Sequence, residues 1–293
     1  MSTVQSGILA AVPLLARYLV FSLAPSSEPR NALTRLSDTT DGEQTVVGIG
    51  QSVVLALGKS LEGLRVFPNH SGAGFDVPAS PGALWCWLRG EDRGELVHRA
   101  RLITQTVSPA FRLDKVIDAF QYGPGLDLTG YEDGTENPTG EQAHAVAVIQ
   151  EQGEGLDGSS FVAVQQWVHD LTRFDAMSVA EQDHTIGRRR SDNEEIDDAP
   201  ASAHVKRTAQ ESFDPEAFVL RRSMPWADET GEGLVFVAFG ASFQPFERLL
   251  TRMVGAEDGI PDALFTFTRP ISGNYFWCPP VHAGKLDLKA LAL

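Results

Sequence analysis

The chain has 293 residues, of which 42% are hydrophobic and 22% charged. That composition buries a sizeable core as one large domain or two ordinary ones, and it excludes a disordered chain. With 24 basic against 39 acidic residues the net charge is −15, which repels polyanions and argues against nucleic acid or an anionic membrane surface as partner.

The first apolar stretch, Gly7 to Leu23, is interrupted by Pro13 and Arg17 and lacks a basic leader. It reads as neither a signal peptide nor a membrane span, so the sequence places the protein in the cytoplasm. A strand is expected at Arg17–Leu23, a helix at Pro29–Asp38, a strand over Val46–Leu57 and another at Ala83–Leu88. Asp92–Val107 reads as a helix, with Leu96, Ala100 and Ile103 at helical spacing, and Phe111–Phe120 alternates as a half-buried strand does. The second half repeats the order. A strand at Phe161–Val168 precedes a helix at Ala176–Thr185, a strand at Leu234–Phe239, a helix at Phe243–Met253 and a closing strand at Ala263–Thr268. This order predicts an α+β fold of two ferredoxin-like domains with antiparallel sheets, resembling a dimeric α+β barrel, over residues 1–145 and 155–293. Tyr122–Gly158, rich in Gly, Asp, Glu and Pro, is expected as a long connecting loop, and Arg188–Ser202 as a charged surface loop.

The most informative stretch is Gly130-Tyr-Glu-Asp133-Gly134-Thr-Glu-Asn137-Pro138. Asp133-Gly134 is a turn signal, Asn137-Pro138 forces an extended or turning exit, and the glycines let a large ligand approach the main chain. The carboxylate of Asp133 can carry protons or merely cap the turn. Cys86 and Cys278 are too few for a disulfide framework and read as buried reduced thiols; without a Cys-x-x-Cys-His run, covalent c-type haem is excluded. None of the seven histidines forms an i, i+4 pair, which disfavours a zinc helix. A Gly-x-Ser-x-Gly elbow, a dinucleotide fingerprint and a Walker loop are all missing. The acidic run from Asp127 to Glu136 does not set oxygen ligands at alternate positions, as a calcium loop requires.

Three elements remain. His204 follows the charged loop, where an isolated histidine can ligate one metal axially. In Phe218–Pro225, a strand would put Arg221 and Ser223 on one face, Leu220 and Arg222 on the other. Each alone has a bland alternative: a packing histidine, a solvated guanidinium, a turn cap. Together, an Asp, an Arg and one axial His are the minimum set for haem peroxidase chemistry, in which the carboxylate moves a proton between peroxide oxygens and the guanidinium stabilises the developing charge.

Gly130-x-x-Asp133-Gly134 matches the GxxDG signature of the dye-decolourising peroxidases, and the chain resembles that family's bacterial B class. The resemblance runs through Val4-Gln-Ser-Gly-Ile8, His184-Thr-Ile-Gly-Arg188, Ala203-His204-Val205, Leu220-Arg-Arg-Ser-Met-Pro225 and Ile271-Ser-Gly-Asn-Tyr-Phe276, nearly the whole chain. It implies one haem b per chain, with His204 as the proximal iron ligand and Asp133, Arg221 and Ser223 as distal catalytic residues. The distal loop would close the N-terminal domain, and the C-terminal domain would bind the haem. Asp133, Glu132, Gly134, Arg188 and Arg221 would line the cofactor, Arg188 near a propionate, and Asp262 would accept the second ring N–H of His204. Some relatives carry Asn at the Ser223 position, which leaves manganese activity open. The implied reaction uses hydrogen peroxide to form a ferryl porphyrin radical that oxidises dyes, phenolics or other small-molecule electron donors. Bulky donors would be oxidised at the surface through one of Trp85, Trp87, Trp167, Trp226, Trp277 or the four tyrosines. The resemblance further implies a homo-oligomer, dimeric or larger. The short tail after Lys285 lacks the extension that docks some relatives in protein nanocompartments, so encapsulation is not expected. The competing readings are a haem-handling protein that releases iron or transfers haem, and a structural protein without haem.

Overall fold

The computed structural model describes residues 2–25 and 27–293. Eight strands form the frame: β1 (Leu15–Leu23), β2 (Thr45–Ile49), β3 (Leu84–Gly90), β4 (Phe111–Phe120), β5 (Ser160–His169), β6 (Met224–Asp228), β7 (Gly231–Gly240) and β8 (Asn274–Cys278). In the first half the spatial order is β4-β1-β3-β2, and in the second β8-β5-β7-β6, with every pair antiparallel. Both are the 4-1-3-2 order of a ferredoxin-like βαββαβ unit. The two sheets join edge to edge, through Ala119↔Trp226 between β4 and β6 and Trp277↔Ile49 between β8 and β2. A closed eight-stranded barrel results, which removes exposed sheet edges. The expected α+β architecture of paired ferredoxin-like antiparallel sheets is therefore present.

Side-chain alternation sorts the strands into two cores. Inside the barrel, Tyr18, Trp85, Trp87, Val162, Val164, Trp226, Val237, Phe239, Phe276 and Cys278 are buried against one another, with Tyr18 stacked on Trp85 at 6.1 Å and Trp85 on Phe276 at 6.0 Å between ring centroids. The outer faces carry Leu19, Phe21, Cys86, Ala163, Trp167 and Trp277 beneath the helices. Both cysteines are buried and unpaired.

The helices that bear on the site and the core are α1 (Arg30–Thr39), α2 (Arg93–Val107), α3 (Gly140–Ala147), α4 (Val179–Ile186), α5 (His204–Arg207) and α6 (Gln244–Met253). Asp92 caps α2 by accepting the Glu95 N–H, and Leu96, Ala100, Ile103 and Val107 form its buried stripe. In α6 the buried stripe is Phe246, Leu249, Leu250 and Met253, each such side chain contributing about 1.5–3 kcal/mol on burial. Among the described residues no helix is long and apolar enough to cross a membrane.

Four expectations need correction. The apolar run Val46–Leu57 is not one strand: β2 ends at Ile49, Gly50 turns the chain, and Gln51–Ala56 is helical. A Cβ at Gly50 would lie 2.2 Å from the Gly82 carbonyl oxygen, so the turn needs glycine there. Ala263–Thr268 is not the closing strand, because Asp262 caps a 3-10 turn over Ala263–Thr266. A short strand, Thr268–Pro270, then pairs with β5, and the strand completing the second sheet is β8. Finally, Tyr122–Gly158 contains helix α3, and the helix expected at Ala176–Thr185 starts at Val179 behind a Ser178/Glu181 capping box, after a separate turn of helix at Leu171–Asp175.

Candidate active site

The cavity lies on the outer face of the second sheet. Gln165 and Trp167 of β5, Leu234 and Phe236 of β7 and Arg221 form one wall, and His204, Val205, Phe246, Leu249 and Met253 of α5 and α6 the other. Its volume is about 310 Å³, at the lower end of the size of small-molecule sites. The segment 131–136 closes one side.

His204 opens α5, and its side chain is 25% exposed, whereas the Asp262 side chain behind it is fully buried. The His204 Nδ1 and Asp262 Oδ2 atoms are 2.7 Å apart. Asp262 Oδ1 accepts the Leu264 N–H at 2.9 Å, and the Asp262 N–H donates to the Met253 carbonyl at 2.7 Å. A buried carboxylate locked this way orients the ring and leaves Nε2, which no hydrogen bond engages among the described residues, as the nitrogen available to the cavity.

Across the cavity stands Arg221, on a short strand Leu220–Arg221 paired with β7. Its Nη1 lies 3.7 Å from Asp133 Oδ1, an ion-pair distance beyond hydrogen-bond range. Arg221 Nε is buried and without a hydrogen-bond partner among the described residues, as is Gln165 Nε2. Two orphaned N–H groups on a cavity wall opposite a free imidazole nitrogen fit an occupant that brings acceptor atoms.

Asp133 is placed by its loop. Its N–H donates to the Gly125 carbonyl at 3.0 Å, and Gly130 and Gly134 sit at φ +83° and +86°, a left-handed conformation that side chains disfavour. Asn137 ties the loop to the Arg221 strand: its Nδ2 donates to the Arg221 carbonyl and its Oδ1 accepts the Arg221 N–H, each at 2.8 Å. Gln210 makes a second tie, donating to the Glu136 carbonyl at 3.0 Å and accepting the Val219 N–H at 3.0 Å.

At the mouth, Arg188 donates to Glu136 Oε1 at 2.8 Å and to the Asn193 carbonyl at 3.0 Å, while Asn193 donates to Glu132 Oε2 at 2.9 Å. Asp133, Gly134, Glu132, Arg188, His204 and Arg221 thus all line one cavity, with Asp262 directly behind His204. Ser223 does not line it. The chain leaves strand geometry between Arg221 and Met224, and the Ser223 hydroxyl faces the Val237 N–H at 3.4 Å. Arg222 points the opposite way, as alternation requires, donating to the Ile8 and Leu9 carbonyls at 3.0 and 2.9 Å. Burial first and the Arg89 charge second pull its pKa down to about 10. Residue-type reasoning passed over Asn137, Gln210, Asp127 and His169. Asn137 was visible only as a turn residue, and the other three have no local signature because their partners are remote in sequence.

A closed pair of ferredoxin-like sheets with one carboxylate-backed histidine facing an Arg–Asp pair defines a ligand-binding α+β protein with an acid–base site. A family model described as Dyp-type peroxidase, C-terminal, matches residues 125–283. A dye-decolorizing peroxidase of Mycobacterium tuberculosis is 29% identical over 94% of this chain and 88% of its own length. One from Rhodococcus erythropolis is 30% identical over 81% of this chain and 72% of its own. Among solved structures, a Shewanella oneidensis protein assigned to the dyp-type peroxidases superposes with a TM-score of 0.85 at 28% identity, covering 99% of this chain and 98% of its own. An arginine-to-leucine variant of Rhodococcus jostii DypB in complex with haem gives 0.84 at 25% identity, covering 93% and 94%. The chain belongs to the dye-decolourising peroxidase family. It is a peroxidase, an oxidoreductase acting on peroxide.

Proposed function

We propose that the cavity would hold one haem b, with His204 Nε2 as the protein's ligand to its iron, and that this peroxidase uses hydrogen peroxide to oxidise a small-molecule electron donor. The observation that carries this is the opposition across one cavity of a carboxylate-backed imidazole and the Asp133/Arg221 pair. Bound haem would supply the iron on which peroxide is activated and would store the two oxidising equivalents taken from peroxide until the donor returns two electrons.

The chain's own residues do the rest. Asp262 holds the Nδ1 proton of His204 and gives the ring anionic character. Asp133 takes a proton from the near peroxide oxygen and returns it to the far one. Arg221, with its Nε unpaired, places positive charge where negative charge develops as the O–O bond lengthens. Arg188, beside Glu132 and Gly134 at the mouth, would pair with a carboxylate of the cofactor. Ser223 stands apart from the cavity, so its part is to support the Arg221 strand and not to touch peroxide. The five tryptophans are all buried, which leaves Tyr122, at 44% exposure, as the one of the candidate aromatics open to a bulky donor. Assembly as a homo-oligomer belongs to the same proposal.

Stopped-flow mixing of the haem-loaded protein with peroxide tests it. The expected result is a rapid, saturable Soret change followed by return to the starting spectrum when a phenolic or dye donor is added. A loaded protein that binds haem through His204 yet leaves peroxide unreacted at neutral and mildly acidic pH would point to haem handling instead.

A further inference from the structure

Asp127 and His169 line the same cavity, yet neither belongs to the reacting set just described. His169 ends β5, in register with Thr268, and its side chain is 6% exposed. Its Nε2 lies 3.1 Å from Asp127 Oδ1 and its Nδ1 2.6 Å from Thr268 Oγ1, while the Thr268 hydroxyl donates onward to the Val168 carbonyl at 3.0 Å. The imidazole is thus held at both nitrogens by groups fixed to the sheet or to the loop.

Asp127 is the centre of the turn that precedes Asp133. Its Oδ2 accepts the Thr129 N–H at 2.9 Å and the Thr129 hydroxyl at 2.6 Å. Its main-chain N–H donates to the Tyr131 carbonyl and its carbonyl accepts the Gly130 N–H, each at 2.9 Å. The Asp133 N–H returns to Gly125, so residues 125–133 form one closed unit. Besides the Asn193–Glu132 hydrogen bond at the mouth and the Asp133–Arg221 ion pair, two side chains of that unit reach the body. The Tyr131 hydroxyl reaches Asp183 on α4, away from the sheet. The Asp127 carboxylate reaches His169, on the strand that pairs with β7, which in turn carries the Arg221 strand.

We propose that His169 is a positioning residue for Asp133: acting through Asp127, it anchors the 125–133 turn to the end of β5 and so sets where the Asp133 carboxylate stands relative to Arg221. The inference rests on the proposed role of Asp133 in peroxide activation. The anchoring itself is independent of that role and of any bound group.

The test compares His169→Phe with His169→Gln, whose amide keeps an N–H toward Asp127, in both the haem-free and the haem-loaded protein. In His169→Phe, amide hydrogen exchange across 125–134 should rise at least about tenfold, and the peroxide rate should fall by about ten- to a hundredfold, the scale of losing a supporting hydrogen bond. The position of the ferric Soret band should not move, because the His204–Asp262 pair is untouched, and the exchange comparison in the haem-free protein is free of any effect that a cavity-lining residue has on haem affinity. His169→Gln should recover most of both losses. Unchanged exchange in His169→Phe would overturn the proposal, and so would a glutamine variant no better than phenylalanine. If His169→Phe does not fold, Asp127→Asn read by the same exchange criterion decides. A wild-type protein inert to peroxide would sink the peroxidase reading while leaving the exchange comparison to decide the anchor.

Discussion

The Asn137 side chain bonds Arg221 as a neighbouring strand would, donating to its carbonyl and accepting its N–H at 2.8 Å each. The loop that carries Asp133 is thereby stitched to the strand that carries Arg221, and the 3.7 Å separation of their charged groups is set by main-chain registration. Replacing Asn137 with Ala removes both bonds and leaves the Arg221 N–H unpaired, while its carbonyl keeps only the Arg222 Nη1 donor, a loss of about 1–3 kcal/mol in stability. The expected outcome is a lowered melting temperature and a ten- to hundredfold slower reaction with peroxide, with the His204-dependent spectrum retained. Thermal melts and stopped-flow traces on the same preparation check both halves.

Arg221→Leu separates charge from scaffold. Its guanidinium makes no hydrogen bond among the described residues, so removing it strips little from the fold. If it stabilises charge on peroxide, the rate of heterolysis should fall roughly 10²–10³-fold, or about 3–4 kcal/mol in barrier, as for loss of one preorganised donor. Single-turnover mixing against peroxide concentration measures it, and a near-wild-type rate would transfer the work to Asp133.

Much of this site is legible in residue order because its chemistry is concentrated in a few types. Asp133 between glycines, a lone His204 and the Arg221/Arg222 alternation each have a local signature. The barrel strand Phe111–Phe120 was readable by the alternation of its apolar face, and Leu234–Phe239, the centre of the strand Gly231–Gly240, as a short continuous apolar run. The Val46–Leu57 run defeated the pattern because a continuous apolar stretch fits a buried strand and a buried helix equally. Only the close approach of Gly50 to Gly82 decides it. Asn274–Cys278 was hidden differently: the strand is buried on both faces, so no alternation marks it. The supports of the site, Gln210 to Val219 and Asp127 to His169, join residues whose proximity exists only after the sheet has formed.

Acidification should loosen the distal turn before it unfolds the protein. Burial would raise the Asp127 carboxyl, but the hydrogen bonds from His169 and Thr129 outweigh it and hold the pKa below the ordinary 3.8. A depressed carboxyl contributes stability that is fully present above its ordinary value and is lost as pH falls through the lower folded value. Exchange protection of the Gly130 and Tyr131 amides, corrected for intrinsic rate, should therefore be flat above about pH 5 and decline below about pH 4. In Asp127→Asn that acid-side decline should vanish. A decline of the same shape in the variant would assign it to other carboxylates.

Asp262 offers the cleanest test of how the protein would tune the iron ligand proposed at His204. The carboxylate is fully buried and accepts two hydrogen bonds, one from the Leu264 N–H and one from the imidazole. Asp262→Asn keeps the size and an acceptor oxygen for one of those donors but removes the negative charge behind the ring. The imidazole then gives less electron density to whatever its Nε2 ligates, which favours the reduced over the oxidised metal. In the haem-loaded protein the ferric/ferrous potential should rise, by about 60 mV for each tenfold change in the relative affinity for the two oxidation states. Haem binding itself should weaken by about ten- to a hundredfold. Spectroelectrochemical titration reads the first and haem transfer to an excess acceptor reads the second. An unmoved potential in Asp262→Asn would mean that the His204–Asp262 bond orients the ring without polarising it, and the role of Asp262 would shrink to holding α5 against the turn at Ala263.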